Sequence, residues 1–181
     1  MRVQHHPATT QQQGAVLVVS LMLLIVMTLI GVTAMRTTTL EEKMSGNTRD
    51  NMLAFNAAEV ALLDAENWTA NTLNALAAAF NGANAGLYAQ GSDPNILAAA
   101  TWTAANSIPY GGPAYPNVAT QPRYIIELMG VAGESGDDLS VVSYDETNQS
   151  GTPYAFRITA RGTGGSNNAT VLLQSNYIRV F

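Results

Sequence analysis

Residues 15–35 read AVLVVSLMLLIVMTLIGVTAM and contain no charged side chain. At about 1.5 Å of rise per residue, a helix of this length reaches about 31 Å, which is close to the thickness of the hydrocarbon core of a bilayer. A soluble protein of this size rarely buries a helix that is apolar on every side. The stretch therefore predicts a membrane-spanning helix rather than a core helix.

The flanking sequence indicates which kind of membrane segment this is. Residues 1–14, MRVQHHPATTQQQG, are polar, have Arg2 as their only formal charge and end in Gly14. A secretory signal normally has an apolar region of about 7 to 15 residues and then a small-x-small cleavage site. Here the apolar run is longer, and Val32-Thr33-Ala34 is a poor site. After Arg36 the chain continues for 30 residues without proline, so we expect the helix to continue beyond the membrane.

The composition restricts the possible functions. The 181 residues, less a leader and a membrane helix, leave about one modest domain. The chain has 13 acidic and 8 basic residues, and the resulting net charge of −5 does not favour nucleic acid as a partner. There is no cysteine, and both histidines, His5 and His6, lie in the polar leader. Downstream of the leader, the side chains for Ser-His-Asp or Cys-His catalysis and for imidazole or thiolate metal sites are missing. We therefore expect a protein that is not an enzyme and has no cofactor.

Residues 36–66 predict an amphipathic continuation of the helix. Apolar side chains recur there at spacings that keep to one side of a 3.6-residue repeat. We expect this stripe to pack on a sheet, through Leu40, Met44, Phe55, Ala58 and Leu62. Glu59 and Asp64 are interpreted as members of a solvated face rather than as catalytic carboxylates. Ser45-Gly46-Asn47, three poor helix formers in succession, predicts a weak point in the helix.

Residues 67–122 form a variable region rich in Ala, Asn, Gly and Thr. Its pattern predicts two short helices, one over 70–80 and one over 93–105. The second would begin with Asp93 as the N-cap and Pro94 at the first helical position. The segment SIPYGGPAYPNVATQP, residues 107–122, predicts a connection that is neither helix nor sheet.

The last part of the chain, residues 123–181, predicts an antiparallel sheet. Phe156 and Ile158 alternate with Arg157 and Thr159, so one face is apolar and the other is mostly polar. An apolar face needs a cover, and the striped helix is the natural partner, which gives an α+β fold. The predicted strands are 123–129, 139–144, 154–161 and 170–180.

Two further motifs suggest ligands but have simpler explanations. The loops that flank the second predicted strand carry acidic residues whose spacing matches no EF-hand, so we interpret them as solvated loop acids and only weak calcium candidates: Asp137, Asp138, Asp145 and Glu146. The glycine-rich GTGGSNN, residues 162–168, lacks the Lys-Ser/Thr and the helix of a phosphate loop. It predicts a flexible hairpin tip.

The order of these parts resembles a type IV pilin or pseudopilin: a polar leader ending in glycine, a long apolar helix, an amphipathic continuation, a variable middle and an antiparallel sheet. More narrowly, three stretches resemble the PilX family of minor pilins. They are GAVLVVSLMLL at 14–24, AMRTTTLEEKMSGNTRDNMLAFNAAEVAL at 34–62, and FRITARGTGG with VLLQSNY at 156–177. The similarity covers both ends but little of the middle, and residues 36–63 are its specific part.

This resemblance implies cleavage by a prepilin peptidase between Gly14 and Ala15 and methylation of the new amine on Ala15. The apolar segment would anchor the protein in the inner membrane, with the head in the periplasm, and would later enter the filament core. The implied partners are other minor pilins, the major pilin, a large tip adhesin and the inner-membrane assembly platform.

One position departs from the common pilin pattern. Most pilins have glutamate at the fifth residue after the cut, where it is thought to pair with a neighbour's N-terminal amine, whereas this chain has Val19. A carboxylate in hydrocarbon costs several kcal/mol unless it is paired, so its pairing can steer a subunit into the filament. We therefore expect a minor pilin of a tip-located priming complex that supports motility or adhesion. The alternatives are a tip pseudopilin of type II secretion and a single-pass anchored periplasmic binding module.

Overall fold

A computed structural model describes residues 13–74, 76–132 and 151–181. The chain divides into two compact units, Met1–Gly46 and Asn47–Phe181, and the division falls within the predicted weak point Ser45-Gly46-Asn47. We call the second unit the head. Of the predicted features, most of the leader, the strand over 139–144 and the four calcium candidates lie outside the described residues.

The long helix α1 extends over Gln13–Asn71 and confirms the prediction that the apolar helix continues past Arg36. The helix contains no proline, and it is rich in alanine, leucine and methionine, which are good helix formers. Its first part belongs to the N-terminal unit, and residues 47–71 belong to the head.

Five strands of the described residues form one sheet. They are β1 (Leu87–Tyr88), β2 (Ile108–Pro109), β3 (Arg123–Val131), β4 (Pro153–Thr163) and β5 (Thr170–Val180). Their order is β1-β3-β4-β5, and β2 also pairs with β3. β3 pairs antiparallel with β4, and β4 with β5, whereas β1 is parallel to β3. The predicted strands over 123–129, 154–161 and 170–180 are confirmed, the first two with slightly wider bounds.

The variable region contains less helix than its sequence predicts. Instead of a helix over 70–80, α1 itself ends at Asn71 and a single turn, α2, follows at Leu76–Ala79. The predicted helix over 93–105 is wrong, since only a 3₁₀ turn forms, at Ala99–Trp102.

Side chains explain why that second helix does not form. Asp93 has a left-handed backbone with φ of 39° instead of N-capping a helix. The Asn95 side chain accepts a hydrogen bond from Leu97 N, and Trp102 Nε1 donates to the Ile96 carbonyl. These local side-chain bonds compete with the helical ladder. β2 also corrects the prediction that residues 107–122 contain no strand.

The head has its core between α1 and the sheet, and alanine forms the buried face of the helix. The buried apolar residues of the helix are Ala54, Ala57, Ala58, Ala61 and Ala65, all fully buried, and Thr69 is the buried polar one. They face an apolar layer from β3 and β4 that consists of Tyr124, Ile126, Phe156, Ile158 and Ala160. The predicted alternation of β4 is therefore confirmed.

Within the head, the predicted packing stripe is wrong for Phe55, which is 46% exposed. Leu40 and Met44 lie in the N-terminal unit, where both side chains are exposed. Ala58 is buried, and Leu62 is half-buried against the core. The reason is close approach of the backbones, because a Cβ added at Gly162 of β4 would overlap Ala54 O and Ala58 N. Only small residues fit on the helix face at such a distance.

The β4–β5 hairpin tip is anchored, which corrects the prediction of a flexible tip. The Asp50 carboxylate on α1 accepts hydrogen bonds from Gly165 N, Ser166 N and the Ser166 hydroxyl. The bond from the Ser166 hydroxyl is the main cause that lowers the pKa of Asp50 below its ordinary value. On the other side, Ala119 N donates to the Gly164 carbonyl at 2.7 Å. The glycines of GTGG thus serve close packing against the helix.

Candidate assembly surface

The apolar part of α1 is not covered by any of the residues that the structure describes. Every large apolar side chain between Val16 and Met35 is exposed, from 48% at Ile25 to 74% at Met35. Among the described helices, this one is long and apolar enough to cross a membrane, with a mean hydropathy of 2.9 in its most apolar window. Since exposure of so much contiguous apolar surface to water is unfavourable, this surface fits a bilayer or other apolar helices.

The few polar groups in this part of α1 bond to the helix itself. The Ser20 hydroxyl donates to the Leu17 carbonyl at 2.9 Å, and the Thr28 hydroxyl donates to the Ile25 carbonyl at 2.8 Å. The Thr33 hydroxyl lies within 3.0 Å of the Leu29 and Ile30 carbonyls. In hydrocarbon, where water is absent, such internal partners are required.

The residues predicted for processing and assembly lie close together on this helix. Gly14 and Ala15 are in its first turn and are exposed. A Cβ added at Gly14 would meet no atom of the described residues within 4 Å. Val19 follows at a rise of about 6 Å from Ala15. It is 57% exposed and apolar, in a surface without any charge between residues 15 and 35.

The head has a polar cluster on the opposite face of the sheet that the sequence analysis did not identify. Arg157 of β4 donates to both carboxylate oxygens of Glu127 on β3, at 2.8 and 2.9 Å, and lies 3.5 Å from Asp93. The hydrogen bond to Glu127 raises the pKa of Arg157. Alternation placed Arg157 on the polar face, but its partner is known only from the β3–β4 register, in which Glu127 faces Arg157.

This cluster borders a shallow cleft of about 260 Å³ whose lining also includes Gln90, Gly91 and Met129. The guanidinium group is already bonded to two carboxylates, so it has little capacity left for an anion. The cluster therefore joins β3, β4 and the segment around Asp93 instead of forming a ligand site. Among the described residues, no group of three or more His, Cys, Asp or Glu side chains could hold a metal ion.

The two helix carboxylates considered in the sequence analysis differ in surroundings. Glu59 is exposed, as expected for a solvated face. Asp64 is half-buried and accepts a hydrogen bond of 2.9 Å from Gly111 N, so it anchors the loop before β3. The pKa of Tyr124 is raised mainly because this side chain is buried, and to a smaller extent because of the negative charge of Asp64.

An N-terminal helix with an exposed apolar first part and a second part packed on a largely antiparallel sheet defines a pilin-like subunit. Two family models match this chain: "PilX N-terminal" over residues 13–63 and "Type IV pilus assembly protein PilX C-term" over residues 42–179. The chain belongs to the PilX family of type IV pilus assembly proteins and is a minor pilin that interacts with other pilus components. No curated protein and no solved structure matches it.

Proposed function

We propose that this minor pilin belongs to a priming complex at the pilus tip and supports motility or adhesion that depends on the pilus. The observation that carries the proposal is the uncovered apolar surface of α1, which includes an apolar residue at position 19. In a bilayer this surface meets lipid, and in a filament it meets other apolar helices, so transfer between the two requires no burial of a charged side chain from residues 15–35.

Val19 supports the position at the tip. A glutamate at this position would be costly in hydrocarbon until it met a partner amine, so it favours docking onto a subunit that is already in place. Val19 has neither this cost nor this partner. A subunit of this kind is suited to enter before its neighbours, and therefore to start a filament.

The proposed course begins in the inner membrane, with a single span and the head in the periplasm. A prepilin peptidase removes residues 1–14, Ala15 is methylated, and the assembly platform moves the subunit into the pilus. Its direct neighbours are other minor pilins, the major pilin and a large tip adhesin. The protein acts through packing and has no catalytic activity of its own.

Processing is tested by intact-protein and N-terminal peptide mass spectrometry on the full chain from membranes. We expect loss of residues 1–14 and one added methyl group on Ala15 in cells with the peptidase, and neither change in cells without it. The variant Gly14→Leu should keep the leader because the glycine before the cut is lost. Gly31→Ala is the matched control, since this helix glycine also has no neighbour within 4 Å, and it should be processed normally. A leader that stays attached with active peptidase contradicts the proposal and favours the anchored binding module.

The tip position is tested separately by immunogold labelling of the head on surface pili. We expect gold particles at filament ends, whereas an antibody to the major pilin, used as the control, should label the whole length. Uniform labelling with the antibody to the head would contradict the tip position while leaving the processing result unaffected.

A further inference from the structure

The two edges of the sheet differ in how they are protected. At one edge, β3 is paired by two strands of only two residues, β1 and β2, and β2 ends in Pro109. Very short edge strands and proline are common ways to prevent a sheet from pairing with another chain. Along residues 123–127, this side of β3 is therefore already occupied by described strands.

The other edge, formed by β5, lacks these features. β5 pairs with β4 over all eleven residues in continuous register and without a bulge. It contains no proline and no lysine, and its one charged residue, Arg179, donates to the Thr69 and Leu73 carbonyls at the end of α1. No other strand of the described part of the chain pairs with β5 on its outer side.

The hydrogen-bond pattern shows which backbone groups are open. Thr152 and Phe181 exchange both backbone bonds, at 2.9 and 3.1 Å, and Gly164 N donates to the Ala169 carbonyl. Because bonded pairs alternate in an antiparallel ladder, the odd-numbered residues of β5 bond to β4. Six residues then direct their N–H and C=O groups to the open edge: Thr170, Leu172, Gln174, Asn176, Ile178 and Val180.

The side chains of these residues define the chemistry of a matching strand. Gln174 and Asn176 are exposed and polar, and Ile178 and Val180 are 47% and 37% exposed. Side chains that lie opposite each other on neighbouring strands stabilise a sheet through apolar contacts and hydrogen bonds. The complementary strand is thus polar near Gln174 and Asn176 and apolar near Ile178 and Val180.

We propose that the open edge of β5 accepts an extended strand from another pilus subunit, which adds one strand to the sheet. Main-chain hydrogen bonds supply the affinity in such strand addition, and the alternate side chains supply the specificity. The partner is a protein subunit because the family acts in an assembly of such subunits. The proposal concerns a surface other than the apolar part of α1 and does not depend on the tip position.

The test places a photo-crosslinking amino acid, p-benzoylphenylalanine, at Asn176 of the full chain in piliated cells. We expect an adduct whose peptides, identified by mass spectrometry, come from another pilus subunit. Introducing Gln174→Pro into the same chain should lower the yield of the adduct by about tenfold or more. Proline removes an N–H group that points away from β4, and it affects no hydrogen bond to β4. Gln174→Ala is the matched control and should leave the yield within about twofold.

A second variant distinguishes loss of strand pairing at the edge from misfolding of the head. Ile178→Lys leaves the backbone intact but places a charge at the edge, and we expect it to lower the yield as strongly as the proline does. Thermal unfolding of both variants shows whether the head still folds, and leader processing in the same cells is scored independently. The proposal is overturned by absence of an adduct, by an adduct only with a second copy or with residues 133–150 of the same chain, or by a yield that neither edge variant changes.

Discussion

Replacing Gly162 by alanine is expected to lower the melting temperature of the head by roughly 10 °C, as followed by tryptophan fluorescence of the full chain in detergent. An added Cβ would overlap Ala54 O and Ala58 N, which are backbone atoms of α1 and cannot rotate away. The helix has to move off the sheet, which also opens the alanine face. Overpacking of this kind costs about 3 kcal/mol, and a head of this size loses about 3 to 4 °C per kcal/mol.

Gly165→Ala is the matched control because it lies in the same hairpin. Its nearest neighbour is Asp50 Oδ1, a side-chain atom 3.3 Å from the added Cβ, so the Asp50 carboxylate has to yield by only a few tenths of an ångström, within its hydrogen bonds to the hairpin tip. We expect its melting temperature to fall by less than about 3 °C. Equal effects of the two substitutions would show that close approach at Gly162 does not determine the packing of α1.

Replacing Arg179 by methionine is expected to destabilise the head by about 2 to 3 kcal/mol. The guanidinium donates to the Thr69 carbonyl and, at 2.7 Å, to the Leu73 carbonyl, where α1 ends. Its carbon Cζ also lies 4.6 Å from the centre of the Phe181 ring. Methionine keeps most of the aliphatic volume but leaves the carbonyls unpaired and removes a positive charge from a helix C-terminus, where it is favourable.

Thermal unfolding measures this loss, and hydrogen exchange of the last turn of α1 locates it. Arg179→Lys, the control, keeps the charge and one ammonium donor group, and should lose about half as much stability. If the methionine variant melted like the natural chain and its helix end stayed protected, Arg179 would not act as a helix cap.

Gly162 and Arg179 belong to a series of contacts that hold the β4–β5 hairpin to α1. Asp50 binds the hairpin tip, and the Ser175 hydroxyl donates to Glu66 at 2.7 Å between the two ends. Residues 50–73, from α1 and the turn after it, thus contact the hairpin along its length.

The sequence by itself determined the parts whose signal is local. A helix long and apolar enough to span a membrane follows from length and absence of charge, and β3, β4 and β5 follow from β-branched residues, alternation and turns. The family resemblance also required no structure, because it depends on residues 34–62 and 156–177, both of which lie within the matched ranges.

Tertiary structure decided which surface of the helix is buried. From hydrophobicity, Phe55 is expected to be buried, whereas no clear expectation follows for alanine. In the structure Phe55 is 46% exposed, and the fully buried residues are Ala54, Ala57 and Ala58. The backbone of β4 at Gly162 approaches α1 so closely that only small side chains fit between them. Tertiary structure also decides which strands pair at an edge of the sheet, since β1 and β2 each pair with β3 through only two residues. Such strands are too short to leave a pattern in the sequence and exist because β3 offers them hydrogen bonds.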